Sequence, residues 1–262
     1  MSITDSHLEK LKELARNAGK AILEIYNSSD FGFEQKADDS PLTLADKKSN
    51  EIICKGIEAL GLPYPIISEE NTQIPFEIRK NFKRFWLIDP LDGTKEFINR
   101  NGDFTVNIAL IEDKKPITGI IYAVCEHELY WAIKGQGAYS EIKCEIRKLQ
   151  AAQFDINSDA VRVVASRSHL NKATAQLIDK LKNPIITNRG SSLKFMMLAN
   201  ASADYYPRMS QVMEWDVAAA QIILEEAGGK VIDLTTKKAL EYNKIDMIVP
   251  SFIACGIGNH KF

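Results

Sequence analysis

The sequence predicts an α/β protein in which helices and sheets form layers, and three observations support this prediction. Two helical segments open the 262-residue chain, and strand-like segments with hairpin-length connections follow them. The second half alternates strand-like and helical segments, which is typical of helices packed on a sheet. Between the helices and the strands, an apolar run ends abruptly in an acidic turn. We therefore expect one domain over residues 1–262, with an α+β half at 1–152 and an α/β half at 153–262.

Composition excludes several classes of function. Hydrophobic residues make up 45% and charged residues 26% of the chain, as in ordinary soluble globular proteins. A net charge of −2 without a basic stripe argues against a nucleic-acid polymer as partner. The chain has no apolar run long enough for a transmembrane segment, and its N-terminus lacks the form of a secretory signal. Four scattered cysteines fit reduced thiols in the cytoplasm. The oligomeric state stays open.

Two helices are expected before the first strand. A capping-box pattern at Ser6 starts the first helix, whose apolar spacing continues to Ile25. The second helix is expected from Thr43 to Leu60, with Asp46 in its first turn, where the helix dipole favours an ionised carboxylate. Taken alone, Asp46 is best explained as a helix acid that caps the helix together with Thr43.

Acidic residues then follow two short strands. The first strand candidate, 64–67, leads into Glu69 and Glu70, a pair that by itself fits solvated acids. The second, Phe85–Ile88, is expected to end at Asp89 because Pro90 cannot donate to a sheet ladder. Asp92-Gly93 turns the chain, so that Asp89 and Asp92 converge and raise each other's pKa unless a cation is present. Such hard oxygen ligands suit Mg²⁺.

Antiparallel strands are expected at 104–111, 116–124 and 128–133, and the run is expected to end at 135–139, before a weakly patterned segment at 140–158. The second half begins with a strand at 161–165 and a helix that runs to about 181. Next come a strand at 185–187 and another helix start.

Two strand-to-helix junctions of the second half carry hydroxyl and cationic side chains. Ser166 and His169 lie at the first junction, and Ser191 and Lys194 lie at the second. Backbone N–H groups and the dipole at a helix N-terminus attract anions, so each junction is a weak signal of an anion site.

The last third of the chain contains a strand at 204–207 and an alanine-rich helix that opens at Trp215 and closes at Gly228. Asp216 is best explained locally as the N-cap of that helix. Strands at 231–232 and 247–249 complete the expected elements.

Several of these segments together resemble the inositol monophosphatase-like superfamily of Mg²⁺-dependent, lithium-sensitive phosphatases. The resemblance lies in WLIDPLDGTKEF (86–97), in SPLTLAD (40–46), in Ser68-Glu69-Glu70 and in WDVAAA (215–220). The ending Lys95-Glu96-Phe97 is similar to the branch of bacterial 3′(2′),5′-bisphosphate nucleotidases, which act in sulfate assimilation and nucleotide metabolism. The resemblance implies a five-layer α-β-α-β-α sandwich, two or three Mg²⁺ ions and a cytoplasmic enzyme, with peripheral inner-membrane association open.

The same resemblance assigns roles to individual residues. It implies that metal is held by the side chains of Glu69, Asp89, Asp92 and Asp216 and by the backbone carbonyl of Leu91. Asp46 and Thr94 would orient and deprotonate the attacking water, so direct hydrolysis is expected rather than a phosphoenzyme. Substrate would contact the metal-site residues Glu69, Leu91, Asp92 and Asp216, the turn residues Gly93 and Thr94, and the junction residues Ser166, His169, Ser191 and Lys194.

Three functions are compatible with these residues. The first is hydrolysis of 3′-phosphoadenosine 5′-phosphate to AMP and phosphate. The second is hydrolysis of an inositol monophosphate or another small sugar phosphate with the same metal chemistry. The third is a non-catalytic, metal-responsive binding protein, which Thr94 and Asp46 disfavour because metal binding alone does not require them.

Overall fold

A computed structural model describes residues 3–28, 32, 34–35, 41–168 and 171–259 of the chain. Helices within these ranges are α1 Asp5–Tyr26, α2 Leu44–Glu58, α3 Phe76–Arg79, α4 Thr94–Ile98, α5 Lys172–Ile178, α6 Leu193–Ala199 and α7 Glu214–Glu226. Strands of the first half are β1 Glu34–Gln35, β2 Pro41–Leu42, β3 Ile66–Ser68, β4 Arg84–Asp92, β5 Thr105–Glu112, β6 Lys115–Ala123, β7 Glu128–Ile133, β8 Gly137–Ile142 and β9 Glu145–Lys148. Those of the second half are β10 Gln153–Asp155, β11 Arg162–Ser166, β12 Ile185–Arg189, β13 Tyr205–Arg208, β14 Val212–Met213, β15 Lys230–Asp233, β16 Ile248–Val249, β17 Phe252–Cys255 and β18 Ile257–Asn259.

Two sheets organise the molecule. The larger sheet has seven strands in the order β3-β4-β5-β6-β7-β8-β9, in which β3 and β4 are parallel and each later neighbour is antiparallel. The smaller sheet has five strands in the order β12-β11-β13-β17-β15, and β11, β12 and β13 run in the same direction. Parallel strands end at the same edge of a sheet, so Ser166, Arg189 and Arg208 lie at one edge.

Helices cover both faces of each sheet. Helices α1 and α2 pack on one face of the seven-stranded sheet, and α7 packs across its other face. Helix α6 packs against α7 and the five-stranded sheet, and α5 packs against β13. The layers are therefore α1/α2, large sheet, α6/α7, small sheet and α5, which is the α/β class expected from the sequence and the layer order that the resemblance implies.

The alternation of side chains along strands explains this layering. In β4, Phe85 and Leu87 belong to the core around α6 and α7, whereas Trp86 and Ile88 face the core under α1 and α2. Successive strand residues point to opposite faces, and each face here is apolar, so each must be covered by helices. In the small sheet, Phe252 faces the central core and Ile253 the outer one.

Several local expectations were wrong. Helix α1 begins at Asp5 with Thr4 as its N-cap, rather than at Ser6. The large sheet does not end at 135–139, because β8 and β9 extend it through a region that lacks an apolar pattern; β9 is exposed along its whole length. The strand β17 was not expected, although it lies between β13 and β15 and is buried throughout. Helix α5 ends at Ile178, short of the expected 181.

No helix in the described ranges combines the length and apolar character needed to cross a membrane. Cys54, Cys125, Cys144 and Cys255 are all free thiols.

Candidate active site

The acidic turn is built on a bulge in β4. The strand continues to Asp92, and the expectation that it ends at Asp89 was wrong. Asp89 pairs with Asn107 and Asp92 pairs with Thr105, so the register shifts between them and Pro90 lies outside the ladder. Ser49 of α2 donates a hydrogen bond of 2.7 Å to the Pro90 carbonyl. The bulge thereby accommodates the missing N–H of proline, and Gly93, at φ 99°, turns the chain into α4.

Three carboxylates converge beside this turn. Glu69, Asp89 and Asp216 each offer an oxygen within 4.8 Å of the others, although they come from the end of β3, from β4 and from α7. Burial raises the pKa of Asp89 well above its usual value, and the charges of Glu69, Asp92 and Asp216 add to the effect. The pKa of Asp216 is also raised well above its usual value, mainly by burial and secondly by the charge of Asp92. A cation at this point would relieve the repulsion.

Asp216 occupies a different helix position from the one expected. Helix α7 begins at Glu214 after the N-cap residue Met213, which places Asp216 at the third helical position. Its carboxylate accepts a hydrogen bond of 3.0 Å from the Met213 N–H. The N-cap expectation was wrong by three residues, but the carboxylate still satisfies a free N–H group of the first turn.

Asp92 lies next to the three converging carboxylates and joins the two sheets. Its Oδ2 atom accepts hydrogen bonds from Ser191 Oγ at 2.8 Å, from the Ser192 N–H at 2.6 Å and from Asn107 Nδ2 at 3.3 Å. Ser191 adopts a φ of 53°, which is uncommon for a residue with a side chain. The second strand-to-helix junction is thus bonded directly to the acidic turn.

Asp46 and Thr94 meet on the other side of the turn. Thr94 Oγ1 lies 3.1 Å from Asp46 Oδ1 and 3.3 Å from the Leu91 carbonyl oxygen. Asp46 Oδ2 accepts hydrogen bonds from the N–H and the hydroxyl of Thr43, at 2.8 and 2.6 Å. Asp46 is therefore a capping acid, as its position alone suggested, and also a partner of Thr94. Burial raises its pKa, against the lowering effect of these hydrogen bonds.

A cavity of about 250 Å³ opens onto these groups. The residues expected at the site that line it are Glu69, Asp89, Leu91, Asp92, Gly93, Thr94, Ser166, Ser191, Lys194 and Asp216. Asp46 reaches the site through Thr94. His169 lies outside the described residues.

Lys194 is a buried cation in this cavity, with 4% of its surface exposed. Its Nζ atom donates to the Ser191 carbonyl and lies 5.5 Å from the centre of the Tyr206 ring. Burial lowers its pKa to about 8, and the charge of Arg208 acts in the same direction. A lysine placed in this way gains from an anion beside it.

Sequence reasoning missed Arg208 and an aromatic wall. Arg208 lines the cavity and donates long hydrogen bonds to the Ser210 carbonyl, at 3.4 Å, and to the Tyr206 hydroxyl, at 3.5 Å. The wall consists of Phe195, Tyr206 and Phe252. The strand expected at 204–207 could have pointed to Arg208, because residues at the carboxyl ends of parallel strands commonly border ligand sites.

The chain matches the inositol monophosphatase family over residues 4–259. It belongs to that family. The 3′(2′),5′-bisphosphate nucleotidase CysQ of Salmonella typhimurium is 40% identical over 241 residues, which cover 88% of this chain and 95% of the relative. CysQ of Aggregatibacter actinomycetemcomitans is 37% identical, with 97% of this chain and 94% of the relative covered.

Solved structures agree with this membership. CysQ of Bacteroides thetaiotaomicron, a bacterial member of the family, has 39% identity and a TM-score of 0.83, covering 96% of this chain and 97% of its own. The inositol monophosphatase of Anabaena superposes with a TM-score of 0.76 at 25% identity, covering 96% of this chain and 91% of its own. The resemblance to this family, and within it to the bacterial bisphosphate nucleotidases, is confirmed.

Proposed function

We propose that the protein is a Mg²⁺-dependent phosphomonoesterase that hydrolyses 3′-phosphoadenosine 5′-phosphate to AMP and phosphate. One observation carries the proposal: a single cavity joins converging carboxylates to cationic side chains, among them Lys194 and Arg208. The carboxylates suit a metal-assisted attack on one phosphate, and the cations suit a second phosphate on the same molecule. The CysQ relatives named as 3′(2′),5′-bisphosphate nucleotidases support this substrate.

The donor set fits Mg²⁺. Carboxylate oxygens are ligands that Mg²⁺ prefers, and the buried like charges of Asp89 and Asp216 are costly without a cation. The residues that would hold two or three ions are Glu69, Asp89, Leu91 through its carbonyl, Asp92 and Asp216. When bound, Mg²⁺ supplies positive charge that offsets the phosphate oxygens and favours an ionised water.

The protein's own contribution to proton movement lies in Thr94 and Asp46. If the Thr94 hydroxyl donates its proton to Asp46 Oδ1, its oxygen is left to accept a proton from water. Thr43 holds the other carboxylate oxygen through two donors and so orients Asp46. Water then attacks phosphorus directly, the bond between phosphorus and the ester oxygen breaks, and the leaving oxygen takes up a proton from solvent water to become the free hydroxyl; no side chain becomes phosphorylated.

The cavity wall offers places for the rest of the substrate. Lys194 and Arg208 lie on the side formed by the small sheet, with Phe195, Tyr206 and Phe252 as apolar surfaces for a base. Ser166 and Ser191 add hydroxyl groups, and we keep His169 as a candidate contact. An inositol monophosphate or another sugar monophosphate has no second phosphate and leaves both Lys194 and Arg208 without an anionic ligand, which makes the sugar phosphatase the second candidate function. A non-catalytic binding protein is the third, and it leaves the bond between Thr94 and Asp46 without a use.

We infer a cytoplasmic location, with peripheral association with the inner membrane left open, because four free thiols fit a reducing compartment.

A substrate panel tests the proposed function. Phosphate release should be measured with Mg²⁺ on 3′-phosphoadenosine 5′-phosphate, its 5′-phosphosulfate analogue, inositol 1-phosphate and fructose 1,6-bisphosphate. We expect the highest kcat/KM on one of the two bisphosphorylated nucleotide forms. A higher kcat/KM on inositol 1-phosphate would replace the nucleotidase assignment with the sugar phosphatase, and no release from any substrate would favour the binding protein.

A further inference from the structure

The buried acid Asp103 lies eleven residues beyond Asp92 and belongs to none of the expected site residues. Its side chain is 3% exposed. Its Oδ2 atom accepts hydrogen bonds from Arg167 Nε at 2.9 Å and from the Gly190 N–H at 2.8 Å. Its Oδ1 atom lies 3.2 Å from a terminal nitrogen of Arg189. One carboxylate thus holds two arginines and a backbone N–H.

These donors come from both strand-to-helix junctions of the small sheet. Arg167 follows β11 directly after Ser166; Arg189 ends β12, and Gly190 follows it directly before Ser191. Ser166 and Ser191 line the cavity, as does Lys194 in the helix that follows. Asp103 is therefore bonded to residues directly beside Ser166 and Ser191, the two junction serines that line the cavity.

Asp103 packs closely against a glycine on two sides. A Cβ atom on Gly190 would lie 2.8 Å from both the Cβ and the carbonyl oxygen of Asp103. A Cβ atom on Gly93, in the acidic turn, would lie 2.9 Å from the same carbonyl oxygen. Asp103 thus separates the acidic turn from the second junction by a fixed distance, and glycine is required on both sides.

Three successive residues of the second junction are held by two carboxylates. Asp103 binds the N–H of Gly190, and Asp92 binds the hydroxyl of Ser191 and the N–H of Ser192. Asp92 belongs to the acidic turn, so the position of Ser191 depends on both the turn and Asp103. The carbonyl of Ser191 in turn accepts the hydrogen bond from Lys194.

We propose that Asp103 is a positioning residue for substrate specificity, which sets the anion-binding wall of Ser191 and Lys194 at the correct distance from the acidic turn. This inference rests on the proposed function, because the wall matters only for a substrate with a second phosphate. Asp103 acts through Gly190, Arg167 and Arg189 and does not touch the substrate.

The chain offers a matched control on the same strand. Asp204 is also buried, and it accepts hydrogen bonds from the N–H of Arg162 at 2.9 Å and from its guanidinium Nε at 3.1 Å. Arg162 begins β11, whereas Arg167 follows its end, so the two pairs lie at opposite ends of one strand. The two arginines are equally accessible, with side chains 40% and 42% exposed.

The experiment compares Asp103→Asn and Arg167→Met with Asp204→Asn and Arg162→Met in the full chain with Mg²⁺. KM and kcat are measured on 3′-phosphoadenosine 5′-phosphate and on a monophosphate, 3′-AMP. All four variants lose a charge-assisted hydrogen bond and should melt at lower temperature than the unsubstituted protein. We expect only the Asp103 and Arg167 variants to raise KM for the bisphosphate, by about tenfold or more, while kcat on 3′-AMP stays within about threefold.

An unchanged ratio of the two kcat/KM values in Asp103→Asn and Arg167→Met overturns the inference, and so does an equal change in the Asp204 and Arg162 variants. Arg167→Met keeps the test valid if Asp103→Asn does not fold, since its side chain is partly exposed. If the unsubstituted protein does not hydrolyse the bisphosphate, the proposed function itself fails, and this result is separate from any effect of Asp103.

Discussion

Thr94 and Asp46 are 48 positions apart in the sequence, and their side chains lie 3.1 Å apart across the acidic turn. The same carboxylate caps α2 with its second oxygen, through Thr43. In the proposed mechanism the structural and the catalytic use of Asp46 do not compete, because each oxygen serves one of them.

The first prediction tests this pair. Thr94→Val should lower kcat by about 10²- to 10⁴-fold, the usual contribution of a positioned acid–base group, whereas Thr94→Ser keeps the hydroxyl and most of the activity. Adding Asp46→Asn to Thr94→Val should cost little more, because both changes interrupt one proton path. Losses that multiply in the double variant would contradict a shared path.

The second prediction concerns the metal ligands. Asp89→Asn should abolish turnover and raise the melting temperature of the metal-free protein. Burial and like charges raise the pKa of Asp89, so this carboxyl destabilises the folded state at any pH above its unfolded pKa, and a neutral amide removes that cost. Differential scanning calorimetry in EDTA measures the effect. Full activity of the EDTA-treated protein without added metal would refute the requirement for Mg²⁺.

The third prediction concerns the cations of the cavity. Lys194→Ala and Arg208→Ala should each lower kcat/KM on 3′-phosphoadenosine 5′-phosphate by about tenfold to a hundredfold, because each removes a charge-assisted hydrogen bond worth roughly 1.5–3 kcal/mol. The loss should fall mainly on KM and should be small on 3′-AMP. Equal losses of kcat/KM on both substrates would mean that Lys194 and Arg208 bind the reacting phosphate or only stabilise the fold.

The fourth prediction is a pH dependence of selectivity. The folded pKa of Lys194 is about 8, below its ordinary value of 10.5, so the folded protein loses this charge as pH rises through 8. The unfolded chain keeps the proton up to about pH 10.5. The buried, charged lysine therefore lowers the stability of the folded state below about pH 8, and this cost disappears as pH rises from about 8 to about 10.5. The ratio of kcat/KM for the bisphosphate to that for 3′-AMP should therefore fall above about pH 8. Lys194→Met should abolish this fall, and a ratio that stays constant from pH 7 to 9.5 would argue against it.

The fifth prediction is inhibition by Li⁺, uncompetitive or nearly so, as the resemblance to lithium-sensitive phosphatases implies. Initial rates at several substrate concentrations in LiCl would measure it, with KCl as the control for ionic strength. Undiminished turnover at concentrations of LiCl from millimolar to decimolar would contradict the prediction.

Local features of the chain were readable from the sequence because neighbouring residues alone determine them. Thr43 and Asp46 are three positions apart at a helix start, and they form the expected cap. Asp89, Asp92 and Gly93 lie within five residues, so the turn brings them together in any fold. The apolar pattern of β4 was also clear, although a bulge carries the strand past Pro90. The division into halves at residue 152 stays a prediction.

The sequence by itself therefore determined the layered class and the residue types of the acidic turn, since periodicity and short spacing specify these locally, and its motifs indicated the family by resemblance. No local pattern shows that Glu69 and Asp216 meet Asp89: the resemblance implied it, and the tertiary structure brings them together because they come from three elements joined by long-range pairing and packing. The tertiary structure also placed Arg208 at the cavity and Asp103 behind it. This follows because β11, β12 and β13 are parallel and end at the same edge of the small sheet. Contacts across 100 or more residues depend on how the layers stack, and no local pattern records that stacking.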